Sequence, residues 1–184
     1  FLDLVNRIKR LSMEVLKEHK EKFKVRIVGQ AEIPTKYIAY IPIKTTQLQK
    51  ADEMMRNFSY LMGTLMDNDV EFDGFPVIEI TEWNQANDSI YMNFGRPIVR
   101  SEKLPIGTDI QYKRIFSKKA LKAEYNGNYI TSDRAWYALI DYAEKNNIDI
   151  ESTPIEIFHD NPKNEGNQLK WKAEIFMPIK ESNE

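Results

Sequence analysis

The chain has 184 residues and no cysteine. Disulfide staples, thiolate nucleophiles and cysteine zinc sites are therefore excluded, and a reducing cytoplasm is the expected location. No apolar stretch approaches the ~20 residues that a transmembrane helix requires. No basic run stands out either: 26 lysines and arginines face 28 acids for a net charge of -2. Direct binding to DNA or RNA is accordingly not expected. The two histidines, His19 and His159, are too few and too far apart for a histidine metal site or a triad. The seven glycines form neither a phosphate loop nor a dinucleotide fingerprint, and no GxSxG elbow occurs. Neither a metal nor a cofactor is expected.

What is present is periodic. Residues 1 to 23 place Leu4, Ile8, Leu11 and Val15 at helical spacing among Lys, Arg and Glu, which predicts an amphipathic helix. "FKVRIVG" and "TKYIAYIPI" then read as strands. In "QLQKADEMMRNFSYLMGTLMDN" the stripe Ala51, Met54, Met55, Phe58, Leu61, Met62, Leu65 and Met66 predicts a core-facing helix, with Thr45 or Thr46 as its cap. "FPVIEITEW" and "SIYMNFG" follow as two strands joined by the turn "NQAND".

The second half repeats that order. Strands at "DIQYKRIF" and "KALKAEYNG" precede a helix at "SDRAWYALIDYAEKNN", capped by Ser132 and buried along Trp136, Leu139, Ile140 and Ala143. Strands at "PIEIFHD" and "LKWKAEIFMPI" close the chain, with Pro154 standing where Pro76 stands in the first half. This pattern reads as a duplication: an α+β fold of two βαββ units, antiparallel sheet and helices on one face.

One stretch, "STPIEIFHDNP", carries the functional question. Between its prolines lies a short strand on which Ile155 and Ile157 point one way and Glu156 and Phe158 the other. A solvent-facing glutamate on an antiparallel strand needs no special reason. A glutamate withdrawn from water does, because it needs a positive partner or hydrogen-bond donors. In the first half Glu79 lies three residues after Pro76, so alignment of the prolines puts Ile78, not an acid, at the corresponding place.

"EYNGNY", "AWYALIDY", "PIEIFHDNP" and "KWKAEIFMPI" together resemble the second half of GyrI-like proteins, the bacterial transcription activator effector-binding domain. "EWNQANDSIYMNFGRPI" is similar to the end of the first half in one subgroup. The resemblance implies a linker helix over 1–24, a GyrI-like domain over 25–180 (repeats at about 25–100 and 101–180) and a tail over 181–184. It implies a ligand cleft between the repeats for small hydrophobic, sometimes cationic molecules, with Glu156 inside it, Phe158 two places on, Trp171 stacking on ligand and Tyr129 nearby. Phe176 stands where the family commonly has tyrosine. Trp83, Tyr40 and Tyr91 are further candidates for lining the first repeat's side. In the subgroup a START-like, polyketide-cyclase-like domain precedes the linker helix, and a chain opening on Phe1 is expected to have lost an upstream domain.

Three activities fit these residues. A carboxylate among aromatic rings suits binding of a hydrophobic cation, each ring adding ~0.5 to 2 kcal/mol. Glu156 as general base with Tyr129 or Tyr125 as proton donor would suit a hydrolase of strained-ring or other electrophilic compounds, which some GyrI-like proteins resemble. A surface resembling that of the gyrase-inhibitory members would suit protein interaction. The methionines at 54, 55, 62 and 66 read as helical core rather than an adaptable surface.

Overall fold

Among the described residues, alternating apolar residues become eight strands, and the second and third helical stripes become two helices laid across one face of the sheet the strands form. The structure is a computed structural model that describes residues 23–162 and 166–181, together with residues 5, 7 and 8. Most of the helix expected over 1 to 23, His19 included, lies outside the described residues, as does the tail after Glu181. The elements are β1 (Phe23–Glu32), β2 (Lys36–Thr46), α1 (Lys50–Asp67), β3 (Val77–Asn84), β4 (Ser89–Pro97), β5 (Gln111–Ile115), β6 (Lys119–Gly127), α2 (Arg134–Lys145), β7 (Ile155–Phe158) and β8 (Lys172–Pro178).

All eight strands join one sheet in the order β1-β6-β8-β7-β3-β4-β2-β5, every pair antiparallel. The order is unchanged when β1 to β4 are exchanged with β5 to β8. At its centre β3 pairs with β7, and Ile78 lies directly opposite Glu156. The two strand-opening prolines clamp this pair, since Pro76 O accepts from Phe158 N and Pro154 O from Ile80 N.

The helix-covered face holds most of the core, including Phe94, Leu61, Leu65, Trp136 and Ile175. The other face carries a smaller cluster around Ile33, Ile38, Val77, Ile155 and Phe176. Two bulges decide which residues reach which face. In β1 the register shifts at Gly29, whose φ of 108° favours glycine. Phe23, Val25 and Ile27 therefore face the helices, whereas Ala31 and Ile33 turn to the other side. In β3 the shift lies between Ile80 and Glu82, so Trp83 joins Ile78 and Ile80 under the helices.

Several local expectations are corrected. The N-cap position of α1 is Gln49 without a side-chain cap bond, and Thr46, the last residue of β2, instead accepts from Gln49 N with Oγ1 at 3.3 Å. For α2 it is Asp133, also without a cap bond, since Ser132 is drawn into an interior network. Met66 is 63% exposed, and Met55 and Phe58 are half-buried, so the α1 stripe is narrower than the methionine pattern suggested.

Candidate functional site

Pro154 starts β7 and the short strand has neighbours on both sides, so both of its faces are covered. The expected pairing of Glu156 with Phe158 on one face is present, but that is the helix-covered face. Ile155 and Ile157 point to the helix-free side, so the main core lies on the glutamate's face rather than on theirs. Glu156 is completely buried.

Its charge is answered from within the chain. Lys50, the first residue of α1 and equally buried, places Nζ 2.6 Å from Glu156 Oε2. The same ammonium donates to Ser132 Oγ at 2.6 Å and to Tyr129 O at 3.5 Å. Trp136 Nε1 donates to Glu156 Oε1 at 3.2 Å. Ser132 in turn donates to Tyr129 O at 2.9 Å. All three N–H bonds of the ammonium are thereby used and both carboxylate oxygens are engaged, the condition under which a buried ion pair is tolerable. Removal of one partner would leave an uncompensated charge and cost about 3–5 kcal/mol.

Rings enclose the pair. Lys50 Nζ lies 5.7 Å from the ring centres of both Trp136 and Phe158, within cation-π range. Tyr129 packs against Phe158 at 4.7 Å and against Trp171 at 5.7 Å, and Trp83 meets Trp136 edge-on at 5.1 Å. Burial pushes the Tyr129 and Tyr125 phenols well above their ordinary range, so both keep their protons. Tyr129 OH donates to Lys172 O and accepts from Asp160 N.

A hollow of about 170 Å³ opens beside this cage, lined by Met54, Phe58, Phe75, Arg96, Tyr129 and Phe158 among others. A second hollow, about 290 Å³ and almost wholly apolar, lies on the helix-free face between Ile33, Val77, Ile115, Ile155 and Ile157. Phe75 and His159, their rings 4.4 Å apart, border both. His159 Nε2 is 2.7 Å from Glu174 Oε2.

The structure thus gathers Glu156, Phe158, Tyr129 and Trp171, with Trp83 one ring further away. It does not bring the other three candidates there. Phe176 packs with Ile155 on the helix-free side under Lys122. Tyr40 lies on that side too, bonded to Gln111. Tyr91 is 41% exposed beside Lys44. In each case strand parity, set by pairing with neighbours, decides the face.

With this geometry in view, comparison with known proteins identifies the fold. No family model and no curated protein matches the chain. Among solved structures, the crystal structure of the EcmrR C-terminal domain superposes with a TM-score of 0.68 at 14% identity, covering 86% of this chain and 98% of that one. In fold, the chain is similar to the EcmrR C-terminal domain. A cryo-EM structure of an EcmrR–DNA complex gives the same TM-score of 0.68 at 16% identity, covering 96% of this chain and 65% of that one. SAV2435 bound to tetraphenylphosphonium superposes with a TM-score of 0.50 at 12% identity, covering 86% and 94%. The α+β fold is shared with the EcmrR domain, at identities that speak to fold alone.

Lys50 and Ser132 were missed by sequence reasoning. A signal for Lys50 existed: it continues the Met54, Leu61, Leu65 stripe at helical spacing, and a cation in the first turn opposes the helix dipole.

Proposed function

We propose that this domain binds small hydrophobic molecules at the aromatic mouth formed by Met54, Phe58, Phe75, Tyr129 and Phe158, above the Lys50–Glu156 pair. The observation that carries the reading is a hollow walled by the rings of Phe58, Phe75, Tyr129 and Phe158, of which Phe158 also lies against the buried Lys50 ammonium. Apolar walls with a few fixed polar groups are the usual make-up of a small-molecule site. The likeness in fold to the EcmrR C-terminal domain, and to a protein solved with an organic cation, agrees with it. At about 170 Å³ the mouth is smaller than the ~300 Å³ at which drug-sized sites begin, so a ligand must part α1 from the turn at 159–162. We read the two halves as repeats, with the site at their junction: α1 belongs to the first and Tyr129, Glu156 and Phe158 to the second.

The hydrolase alternative draws less from this geometry. Both oxygens of Glu156 are engaged, and Tyr129 holds its proton tightly. A cation reaches the carboxylate only in exchange for Lys50.

The test is a titration of tryptophan fluorescence with N-phenyl-1-naphthylamine, a neutral apolar probe. Saturable binding is expected, weakened about tenfold by Phe58→Ala and unaffected by Ile157→Ala, which touches only the hollow on the helix-free face. The opposite pattern would move the site across the sheet, and no saturation at all would remove the proposal.

A further inference from the structure

We infer that Lys50 is a resident cation, tethered inside the cage, and that it sets the charge preference of the site: the native chain discriminates against organic cations, and loss of the lysine side chain turns the cage into a receptor for alkylammonium ions. The inference rests on the location of the site proposed above and adds the ligand's charge class.

The cage has the features by which proteins recognise an ammonium group: a carboxylate at 2.6 Å, a hydroxyl at 2.6 Å, a carbonyl at 3.5 Å and two ring faces at 5.7 Å. Its occupant is the chain's own side chain, completely buried. An exogenous cation entering the native protein therefore meets a carboxylate that is already neutralised, and gains only by expelling an ammonium as well placed as itself. A second cation reinforces the bias. Arg96 lines the mouth with its guanidinium 4.6 Å from the Phe72 ring, and its buried Nε has no hydrogen-bond partner. Burial draws the Arg96 pKa down, in keeping with a guanidinium that lacks a carboxylate close by. Arg96 beside the hollow therefore favours neutral molecules and those carrying an acceptor oxygen, while Lys50, neutralised by Glu156, offers no free charge. Among the described residues the one acid lining the mouth, Asp160, uses Oδ2 to accept from Lys172 N at 2.7 Å.

Lys50 also holds the α1 N-terminus to the turn Tyr129–Thr131 and to Ser132, across 79 and 82 residues of sequence. A ligand that does displace it must loosen that junction, so cation binding and opening of the mouth are coupled.

The test is chemical rescue. Lys50→Ala removes Cγ, Cδ, Cε and the ammonium, leaving a hole that matches n-propylammonium and ends at Glu156. The melting temperature of this variant should rise with n-propylammonium chloride well above the effect of equal n-propanol or sodium chloride, whereas the native chain should show no such excess. Should Lys50→Ala fail to fold alone, circular dichroism in the cold with and without n-propylammonium reads the same outcome as recovery of structure. The affinity for 4-phenylbutyltrimethylammonium relative to that for its neutral carbon isostere should be at least tenfold higher in Lys50→Met than in the native chain. The uncharged pair Lys50→Met with Glu156→Gln should lose that preference. Equal effects of n-propylammonium and n-propanol on Lys50→Ala, or an equal cation preference in the native chain and Lys50→Met, would overturn the inference. The rescue needs no ligand in the mouth, so failure of naphthylamine binding and failure of rescue are separate results.

Discussion

Lys50 and Asp133 enter the interior on different terms. Lys50 has every donor used, but the buried carboxyl of Asp133 has only Gln47 Nε2 at 3.0 Å on Oδ2, and its Oδ1 has no partner. Burial pushes the Asp133 carboxyl up, against the opposing pull of Arg134, Lys50 and Gln47. The sign of the pH effect follows. The unfolded chain releases this proton in the ordinary carboxylate range, whereas the folded chain holds it to higher pH. Stability is therefore lost as pH rises through the raised folded value, and the loss persists above it. Asp133→Asn should stabilise the protein by about 1 kcal/mol near neutrality. Urea denaturation of both chains between pH 4 and 8 checks this: the advantage should grow with pH, and a constant difference would mean that ionisation is not the cause. For Glu174 the sign is reversed. Burial raises its carboxyl, but hydrogen bonds from Lys122 and His159 outweigh burial and hold it low. Its contribution is present above the ordinary carboxylate range and is lost as pH falls through the lowered folded value.

Among the elements, β4 has the least tolerance for added volume. Gly95 pairs with Tyr40 on one side and Val77 on the other. A Cβ there would stand 2.8 Å from Ala39 O and 3.1 Å from Tyr40 Cβ, and backbone cannot step aside as a flexible side chain would. Gly95→Ala should cost about 1–3 kcal/mol, read as a lower urea midpoint with an unchanged slope. Gly63→Ala, on α1 with open space around it, should do no harm and gain a few tenths to 1 kcal/mol from helix propensity. Equal effects at the two sites would refute the packing account. The helices were legible from their stripes, but their starts were not. Side-chain oxygens before a helix normally cap it, whereas here Ser132 is bonded to Lys50 and Gln47 bridges Trp83 Nε1, Asp133 and Tyr137.

At the scale of the molecule, the single sheet and the α1 junction make the halves one cooperative unit. The central β3–β7 pair, the Pro76 and Pro154 clamps and the Lys50–Glu156 contact all join residues before 100 to residues after 150. Unfolding followed by tryptophan fluorescence and by far-ultraviolet circular dichroism should therefore give coincident curves. An early circular-dichroism phase with the fluorescence still native would show that the halves come apart separately.

Residue order alone determined the eight strands, the two helices and the pairing of Glu156 with Phe158 on one strand face, because periods of 2 and 3.6 are local properties of the backbone. Alignment of the two prolines also put Ile78, not an acid, at the first-half place corresponding to Glu156, while the pairing of these two residues across the sheet came only with the fold. The tertiary structure decided which sheet face the helices cover, which aromatics the bulges turn toward it, and that Lys50 meets Glu156 across 106 residues. Those outcomes depend on strand order and helix placement, and no short-range pattern encodes which buried charge will find which partner.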